Sequence, residues 1–237
     1  MKSRLLFFLS LCIGAMALQS CSIATTVHFN KDFSGEYAIV MDLSEFMGMA
    51  AMFDSTGTMD QNSMTAQMRH KLDSLDLAGT YNGMSGIRNA KTEVSDEGVM
   101  TISFNFDNVE SLNASFLRMK EKAEQDAAAG VEMDEMMPTD LLGGGNQSYV
   151  RQGKKITHVF SSEDDTSGLF SGDDADQLEM FSSMIDYTYT MTFDRKVKSA
   201  DVKGLNIIEK DAHAIKMRVD FGDLMKEGKY SVSVSTK

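Results

Sequence analysis

The clearest indication of the fold is the stretch TTVHFNKDFSGEYAIVMDL, residues 25–43. Apolar and polar side chains alternate on either side of a short turn that ends in Gly35, which is typical of two antiparallel strands. The stretch therefore predicts a hairpin with strands over 25–30 and 36–43. Because only a few residues separate this hairpin from Cys21, we expect the folded domain to begin close to that cysteine.

Helices and further hairpins follow this first hairpin in alternation. Helical spacing of apolar residues extends over 44–75, with Ser44 suited to be the N-cap. Strands are predicted over 87–94 and 99–106, and an amphipathic helix begins at Val109. The rest of the chain is rich in predicted strands, which are 149–160 (as a hairpin), 187–193, 197–202, 205–208, 215–219 and 230–234.

This order, β-β-α-β-β-α followed by a β-rich C-terminal part, predicts a single α+β domain over 21–237. Its expected architecture is an antiparallel β-sheet with helices packed on one face. Two segments near 130–147 and 161–174 are acidic and contain several glycines, and we predict that they are mobile loops.

The first 21 residues carry the pattern of an export signal. Lys2 and Arg4 precede an apolar run that is too short for a comfortable membrane span, and the run closes with LQSC, residues 18–21. This ending resembles the bacterial lipobox, which implies removal of residues 1–20, a diacylglycerol on the Cys21 thiol and acylation (palmitate) of the new N-terminus. A plain secreted protein cut near Ala17 is the alternative, and it would leave Cys21 as a lone thiol in an oxidising compartment.

The residue after Cys21 bears on localisation. It is Ser22 and not aspartate, which by resemblance to lipoprotein sorting favours the outer membrane. No acidic cluster follows directly, so the periplasmic face is favoured over the cell surface.

Composition and motifs exclude several classes of function. The formal net charge is −12, and a surface this acidic repels nucleic acid and anionic headgroups. We therefore expect no nucleic-acid partner, and contact with a membrane only through the lipid. No HExxH, GxSxG, CxxC, P-loop or GxGxxG motif occurs, so we expect no enzyme. The histidines are scattered over different predicted elements, at His28, His70, His158 and His213.

Methionine is the compositional anomaly, with 20 residues in 237. Thioether side chains are flexible and polarizable, so a dense group of them has three interpretations: the core face of a helix pair, an apolar groove for a lipid or partner segment, or a Cu(I) site. The core is the interpretation that such patterns favour most. The candidate groove residues are Met41, Met47, Met49, Met52, Met64 and Met68.

The acidic segment EDDTSGLFSGDD, residues 163–174, resembles an EF-hand loop. Its candidate calcium ligands are Glu163, Asp165, Ser167 and Asp174. The first position has glutamate where an EF-hand usually has aspartate, and the last position has aspartate where an EF-hand usually has glutamate. A solvated acidic loop is therefore the favoured interpretation. We expect no other cofactor.

Two segments resemble a group of bacterial lipoproteins. VHFNKDFSGEY (residues 27–37) is similar to their opening hairpin, with Phe33 at the position of a turn glycine, and YTYTMTFDRKV (residues 187–197) looks like their C-terminal strand pair. The nearest named family is the mycobacterial LppM lipoprotein domain. This resemblance implies an α+β domain similar to lipid-binding folds and linked to glycolipid binding.

The sequence thus predicts a membrane-anchored, non-enzymatic envelope lipoprotein that binds an apolar ligand (a lipid) or a hydrophobic partner segment. One alternative is a scaffold that binds an envelope protein and takes no small ligand, and another is a calcium-binding module. The first predicts an apolar cavity beside the methionine-bearing helices, the second a filled core, and the third a cage of carboxylates.

Overall fold

The fold is built from two β-sheets with helices packed beside them. A computed structural model describes residues 21–44, 62–63, 65–66, 69–70, 76–128, 146–161, 185–220 and 229–237. The helices with given ends are α1 (Leu77–Asn82) and α2 (Val109–Ala128). The strands are β1 (Cys21–Phe29), β2 (Gly35–Asp42), β3 (Ile87–Val94), β4 (Val99–Phe106), β5 (Asn146–Gln152), β6 (Lys155–Ser161), β7 (Ile185–Phe193), β8 (Val197–Lys203), β9 (Asn206–Lys210), β10 (Ala214–Val219) and β11 (Lys229–Thr236).

The larger sheet has seven strands in the order β3-β4-β2-β1-β7-β10-β9. The predicted first hairpin is its centre, because β1 and β2 pair in antiparallel register from Ser22 opposite Asp42 to Phe29 opposite Gly35. The other edge of β1 pairs with β7, and this pairing is parallel. Side-chain alternation determines which face a residue occupies but not the direction of a neighbouring strand, so the parallel pair was not predicted.

The smaller sheet has four antiparallel strands in the order β5-β6-β11-β8 and covers the inner face of the larger one. Aromatic rings bridge the two sheets. The ring of Tyr149 in β5 lies 6.1 Å from that of Phe29 in β1, and His158 in β6 stacks at 4.9 Å on Tyr189 in β7. The predicted α+β class is therefore confirmed, but a second sheet, and not helices alone, packs on the first.

Helix α2 closes one side of the molecule next to the edge strand β5. Its Asn113 side chain both donates to the carbonyl oxygen and accepts from the amide of Tyr149, each at 2.8 Å. Phe116 on the same helix stacks on Tyr149 and packs edge-on against Tyr37. The helix thereby satisfies backbone groups at a strand edge that would otherwise be open to another chain.

Candidate functional site

The first candidate site is the end of the seven-stranded sheet at which Cys21 lies. Cys21 is the first residue of β1 and lies opposite Ile185 of β7, while Ser22 lies opposite Asp42 of β2. The Cys21 side chain is 7% exposed and shares its face of the strand with buried Ile23. A lipid carried by Cys21 would therefore leave from the central sheet itself, with no linker between the anchor and the core.

The residues predicted to line an apolar groove are described only in part. Met41 lies in β2 opposite Ile23, is 3% exposed and belongs to the hydrophobic core. It is thus near Cys21, at the same end of the sheet. The remaining candidates lie outside the described residues, and they are Met47, Met49, Met52, Met64 and Met68.

The predicted calcium segment also lies outside the described residues, with Glu163, Asp165, Ser167 and Asp174. Within the part of the chain that the structure describes, no three histidine, cysteine, aspartate or glutamate side chains are arranged to share a metal ion. Nor does this part contain a helix whose length and apolar character would let it cross a membrane.

The second candidate site is a group of buried polar rings between the two sheets. Burial raises the pKa of each of its phenols above the usual value of 10.0. The Oη atoms of Tyr149 and Tyr189 are 2.8 Å apart, and the Oη of Tyr187 lies 3.2 Å from the Oγ1 of Thr25. We call this group the tyrosine layer, and its members are the buried residues Tyr37, Tyr149, Tyr189, Tyr230 and His158 together with the partly buried Tyr187.

His158 lies at the centre of the tyrosine layer, stacked at 4.3 Å on the ring of Tyr149 and at 4.9 Å on that of Tyr189. Its Nε2 is 3.3 Å from the amide oxygen of Gln147, which can only accept, so this contact places the ring proton on Nε2. Its Nδ1 has no hydrogen-bond partner among the described residues. Burial lowers the pKa of His158 from 6.5 to about 3, so the ring is neutral at physiological pH.

The chemistry of the tyrosine layer is structural. A general acid or base works best with a pKa near the working pH, whereas these phenols have raised pKa values and the imidazole has a strongly lowered one. Hydrogen bonds engage the hydroxyls of Tyr149, Tyr187 and Tyr189 and the Nε2 of His158. The layer therefore holds the two sheets together and offers no side chain prepared for acid–base work at neutral pH.

The third candidate site is a groove of about 410 Å³ on the outer face of the larger sheet. It is positioned by a bulge in β3, where Asn89 has a φ of 55° and the side chain of Asn82 in α1 bonds both the amide and the carbonyl of Ala90, at 2.9 and 3.2 Å. The lining offers carboxylate, ammonium, amide and hydroxyl groups to a polar ligand. The lining residues are Glu36, Asn89, Ala90, Lys91, Ser103, Phe104 and Asn105.

Sequence reasoning missed this groove and the bulge that forms it. The available signal was the residue type at position 89, because asparagine adopts a left-handed conformation more readily than other non-glycine residues. The tyrosine layer was missed too. Its members are separated by up to 193 residues, from Tyr37 to Tyr230, and the packing of the second sheet brings them together.

The described part is thus an α+β domain of two packed sheets with a filled aromatic interior. No family model matches the chain, and no curated protein matches it. Among solved structures, it is similar to the NMR structure of the folded domain of the Mycobacterium tuberculosis LppM protein, with 12% sequence identity and a TM-score of 0.42. The alignment covers 92% of this chain and 91% of that one, and it assigns no functional residue.

Proposed function

We propose that the protein is a cell-envelope lipoprotein, held at a membrane by lipid on Cys21, that acts by binding and not by catalysis. The observation that supports this most directly is the position of the cysteine that ends the lipobox-like pattern. Cys21 lies in β1, directly opposite Ile185 of β7, so the proposed lipid site is part of the central sheet. Removal of residues 1–20 would therefore leave all the described strands intact.

The non-enzymatic part of the proposal is supported by the described interior. Its titratable groups have pKa values moved away from neutrality by burial, as in Tyr149 and His158, whereas catalytic groups are usually tuned toward the working pH. The outer groove holds no histidine or cysteine among its lining residues. Binding is the function that such surfaces support.

For the bound partner we propose an apolar ligand or a hydrophobic partner segment, taken up beside the anchor. Strand β2 ends at Asp42, opposite Ser22, so the methionine-rich sequence that follows departs from the sheet next to Cys21. On the proposed anchoring, this departure point lies at the membrane, where apolar partners are concentrated. Flexible thioethers suit a surface that accepts varied apolar shapes.

A protein-binding scaffold without a small ligand is the second candidate, and the filled core favours it. Within the described residues the space between the sheets is occupied by side chains, for example Phe29, Met191 and Val232, which are all fully buried. An apolar ligand would therefore have to bind outside this filled interior.

Mass spectrometry of the N-terminal peptide from a bacterial host tests the anchor. We expect a mature chain that begins at Cys21 with a diacylglyceryl thioether and an acylated amine. Cys21→Ala should retain residues 1–20, whereas Ser22→Ala, the matched control, should be processed and lipidated as the native chain is. A native chain that begins at any other residue, or at an unmodified Cys21, contradicts the proposal.

Native mass spectrometry of the detergent-solubilised mature protein, with lipid extraction of the same sample, separates the two candidate functions. A defined co-purifying lipid is expected, and it should be lost in the variant Met47→Glu, Met49→Glu, Met52→Glu and kept in the matched leucine variant. Circular dichroism of both variants checks that they fold. A mass that shows no lipid beyond the anchor, before and after incubation with lipid, supports the scaffold instead.

A further inference from the structure

The turns at one end of the molecule gather positive charge in an otherwise acidic protein. The amide of Lys237 donates to the carbonyl of Lys196 at 2.9 Å, and the guanidinium of Arg195 donates to the carbonyls of Lys31 and Lys237 at 2.9 and 3.4 Å. Together with the β5–β6 turn, these contacts join four chain segments. The segments are 31–33, 151–154, 194–197 and 236–237.

Phe33 is the residue around which this end is organised. It has a φ of 70°, a conformation that side-chain-bearing residues rarely adopt, yet its ring is only 1% exposed. The guanidinium of Arg151 lies 4.3 Å from the centre of that ring and donates to the carbonyl of Asp32 at 3.3 Å, while Arg195 lies 6.0 Å from the same ring. Cation–π contacts and backbone hydrogen bonds thus fix both arginines in place.

The charges at this end are unbalanced. Two carboxylates lie among the cations, and both have partners of their own: Asp32 accepts from the amide and hydroxyl of Ser34, and Asp194 lies 3.5 Å from His28. Counted over side chains alone, as the net charge of −12 is, six cations against two carboxylates sum to +4. We call these six cations the turn cluster, and they are Lys31, Arg151, Lys154, Arg195, Lys196 and Lys237.

The cations of the turn cluster are available for an external partner. Ion pairs in the described part of the chain are made by other residues, for example Arg88 and Arg218, and none by the six. Lys31, Lys154 and Lys196 are exposed. Since the two arginines are engaged with carbonyl oxygens and Phe33, the lysines supply most of the unused positive charge as separate, mobile point charges.

We propose that the turn cluster is a docking surface for an acidic polypeptide segment of a partner protein. Charge complementarity requires an anionic partner, and the segment of the partner that binds must be short. Outside the cluster and its two carboxylates the chain carries −16, so a long polyanion that extended beyond this end would be repelled. A short run of aspartate and glutamate side chains meets the lysines without that penalty.

The position of the turn cluster separates it from the anchor. β1 has nine residues, so its Cys21 end and its turn end are roughly 27 Å apart. If Cys21 carries the anchor as proposed, the lipid headgroups of that membrane lie at the opposite end of the domain from the turn cluster. The turn cluster can therefore contact a partner protein but not those headgroups. Binding of an acidic segment to the turn cluster does not require lipid on Cys21, so its measurement is independent of the proposed anchor.

The test uses the full chain in a nonionic detergent and a short fluorescein-labelled poly-L-glutamate as the probe. Fluorescence anisotropy is measured at low and at physiological ionic strength. We expect binding that weakens with salt, and at least about tenfold weaker binding for the variant Lys31→Glu, Lys154→Glu, Lys196→Glu. The control variant Lys203→Glu, Lys216→Glu, Lys229→Glu changes the net charge equally at exposed or partly exposed positions elsewhere, and we expect less than about a twofold change.

The outcomes either support the proposal or overturn it. Loss in the turn-cluster variant together with retention in the control supports it. Equal loss in both variants means that net charge alone governs binding, and no binding by the native chain at low salt means that the surface does not recognise acidic side chains. Tighter binding of the native chain to a sulfated polysaccharide or to phosphatidylglycerol vesicles, with the same dependence on the three lysines, assigns the cluster to that polyanion and overturns the polypeptide.

Discussion

The two faces of the seven-stranded sheet are built from alternate residues of the same strands, yet their polar groups differ in their access to water. In β1, Thr25, Val27 and Phe29 face inward with at most 3% exposure, whereas Thr26 and His28 face outward and remain partly exposed. An outward hydroxyl can exchange a protein partner for water. An inward hydroxyl has no such substitute, so its hydrogen bonds and its protonation are coupled to folding.

The largest expected consequence of this difference is unfolding in alkali. The chain has six tyrosines, and burial raises the pKa of all of them, so above pH 10 the unfolded state releases protons that the folded state retains. The free energy of unfolding therefore falls as the pH rises through this region. One pH unit above the ordinary pKa of a phenol, each phenol whose pKa is strongly raised costs about 1.4 kcal/mol, or roughly 7 kcal/mol for the five tyrosines other than Tyr187.

Tyrosinate absorbance and far-ultraviolet circular dichroism, followed together against pH, check this expectation. The two signals should change in a single transition above pH 10, because the phenols ionise only when the sheets separate. If tyrosinate formed near pH 10 while the circular dichroism stayed native, the tyrosine layer would be accessible to water. That result would contradict the difference in water access between the two faces of the sheet.

The next largest effect is expected from the inner-face substitution Phe29→Ala. The ring of Phe29 is fully buried and lies 5.5 Å from that of Phe193 and 5.7 Å from that of Phe106. Its removal leaves a cavity between the sheets, and we expect the free energy of unfolding to fall by about 3–5 kcal/mol. Urea denaturation measures the change. Thr26→Ala, on the outer face of the same strand, is the control and should change stability by less than about 0.5 kcal/mol.

His158 on the inner side makes the free energy of unfolding depend on pH in the acid range. Its pKa is about 3 in the folded protein against 6.5 for the unperturbed group, so between these values the unfolded state binds the proton and the folded state does not. Stability is therefore complete above about pH 6.5 and falls as the pH falls toward 3. The loss from this residue is about 2 kcal/mol between about pH 7 and pH 5.

The variant His158→Phe keeps an aromatic ring between Tyr149 and Tyr189 and removes the titration. Urea denaturation at both pH values should show a drop for the native chain that is larger than the drop for the variant by about that amount. Carboxylates contribute equally to both proteins and cancel in the difference. An identical drop in the two proteins would mean that His158 is protonated without unfolding.

The faces themselves could be predicted from the sequence, because alternation is local. Strands predicted over 99–106 and 187–193 match β4 and the greater part of β7. The hairpin predicted over 149–160 turns at Gly153, which lies between β5 and β6 with a φ of 62°. Other boundaries moved: β1 begins at Cys21 and not at residue 25, and β5 begins at Asn146, within the segment predicted as a loop.

The pairing of distant strands and the packing of the second sheet could not be predicted in the same way. The parallel pair of β1 with β7 and the second sheet both depend on residues far apart in the chain, and no local pattern encodes them. Thr25 and Tyr187 are 162 residues apart and form a hydrogen bond. The turn cluster was hidden by the same limit, since its lysines are distributed over four segments and the overall composition is acidic.

The smallest and most discriminating effect concerns the hydroxyl pair of Tyr149 and Tyr189, whose Oη atoms are 2.8 Å apart in the interior. Tyr189→Phe leaves the Tyr149 hydroxyl buried without this partner, so we expect a loss of about 1–2 kcal/mol. The double variant Tyr149→Phe, Tyr189→Phe removes both hydroxyls, leaves no orphan at this contact, and should cost clearly less than the sum of the two single variants.

The outward contact of His28 with Thr192, 2.9 Å between Nδ1 and Oγ1, is the matched pair on the other face. There water can replace either partner, so the single and double alanine variants should be additive within about 0.5 kcal/mol. Urea denaturation of both cycles measures the two coupling energies. If the inner cycle were as additive as the outer one, water would reach the tyrosine layer, and the coupling of inward hydroxyls to folding would not hold for this sheet.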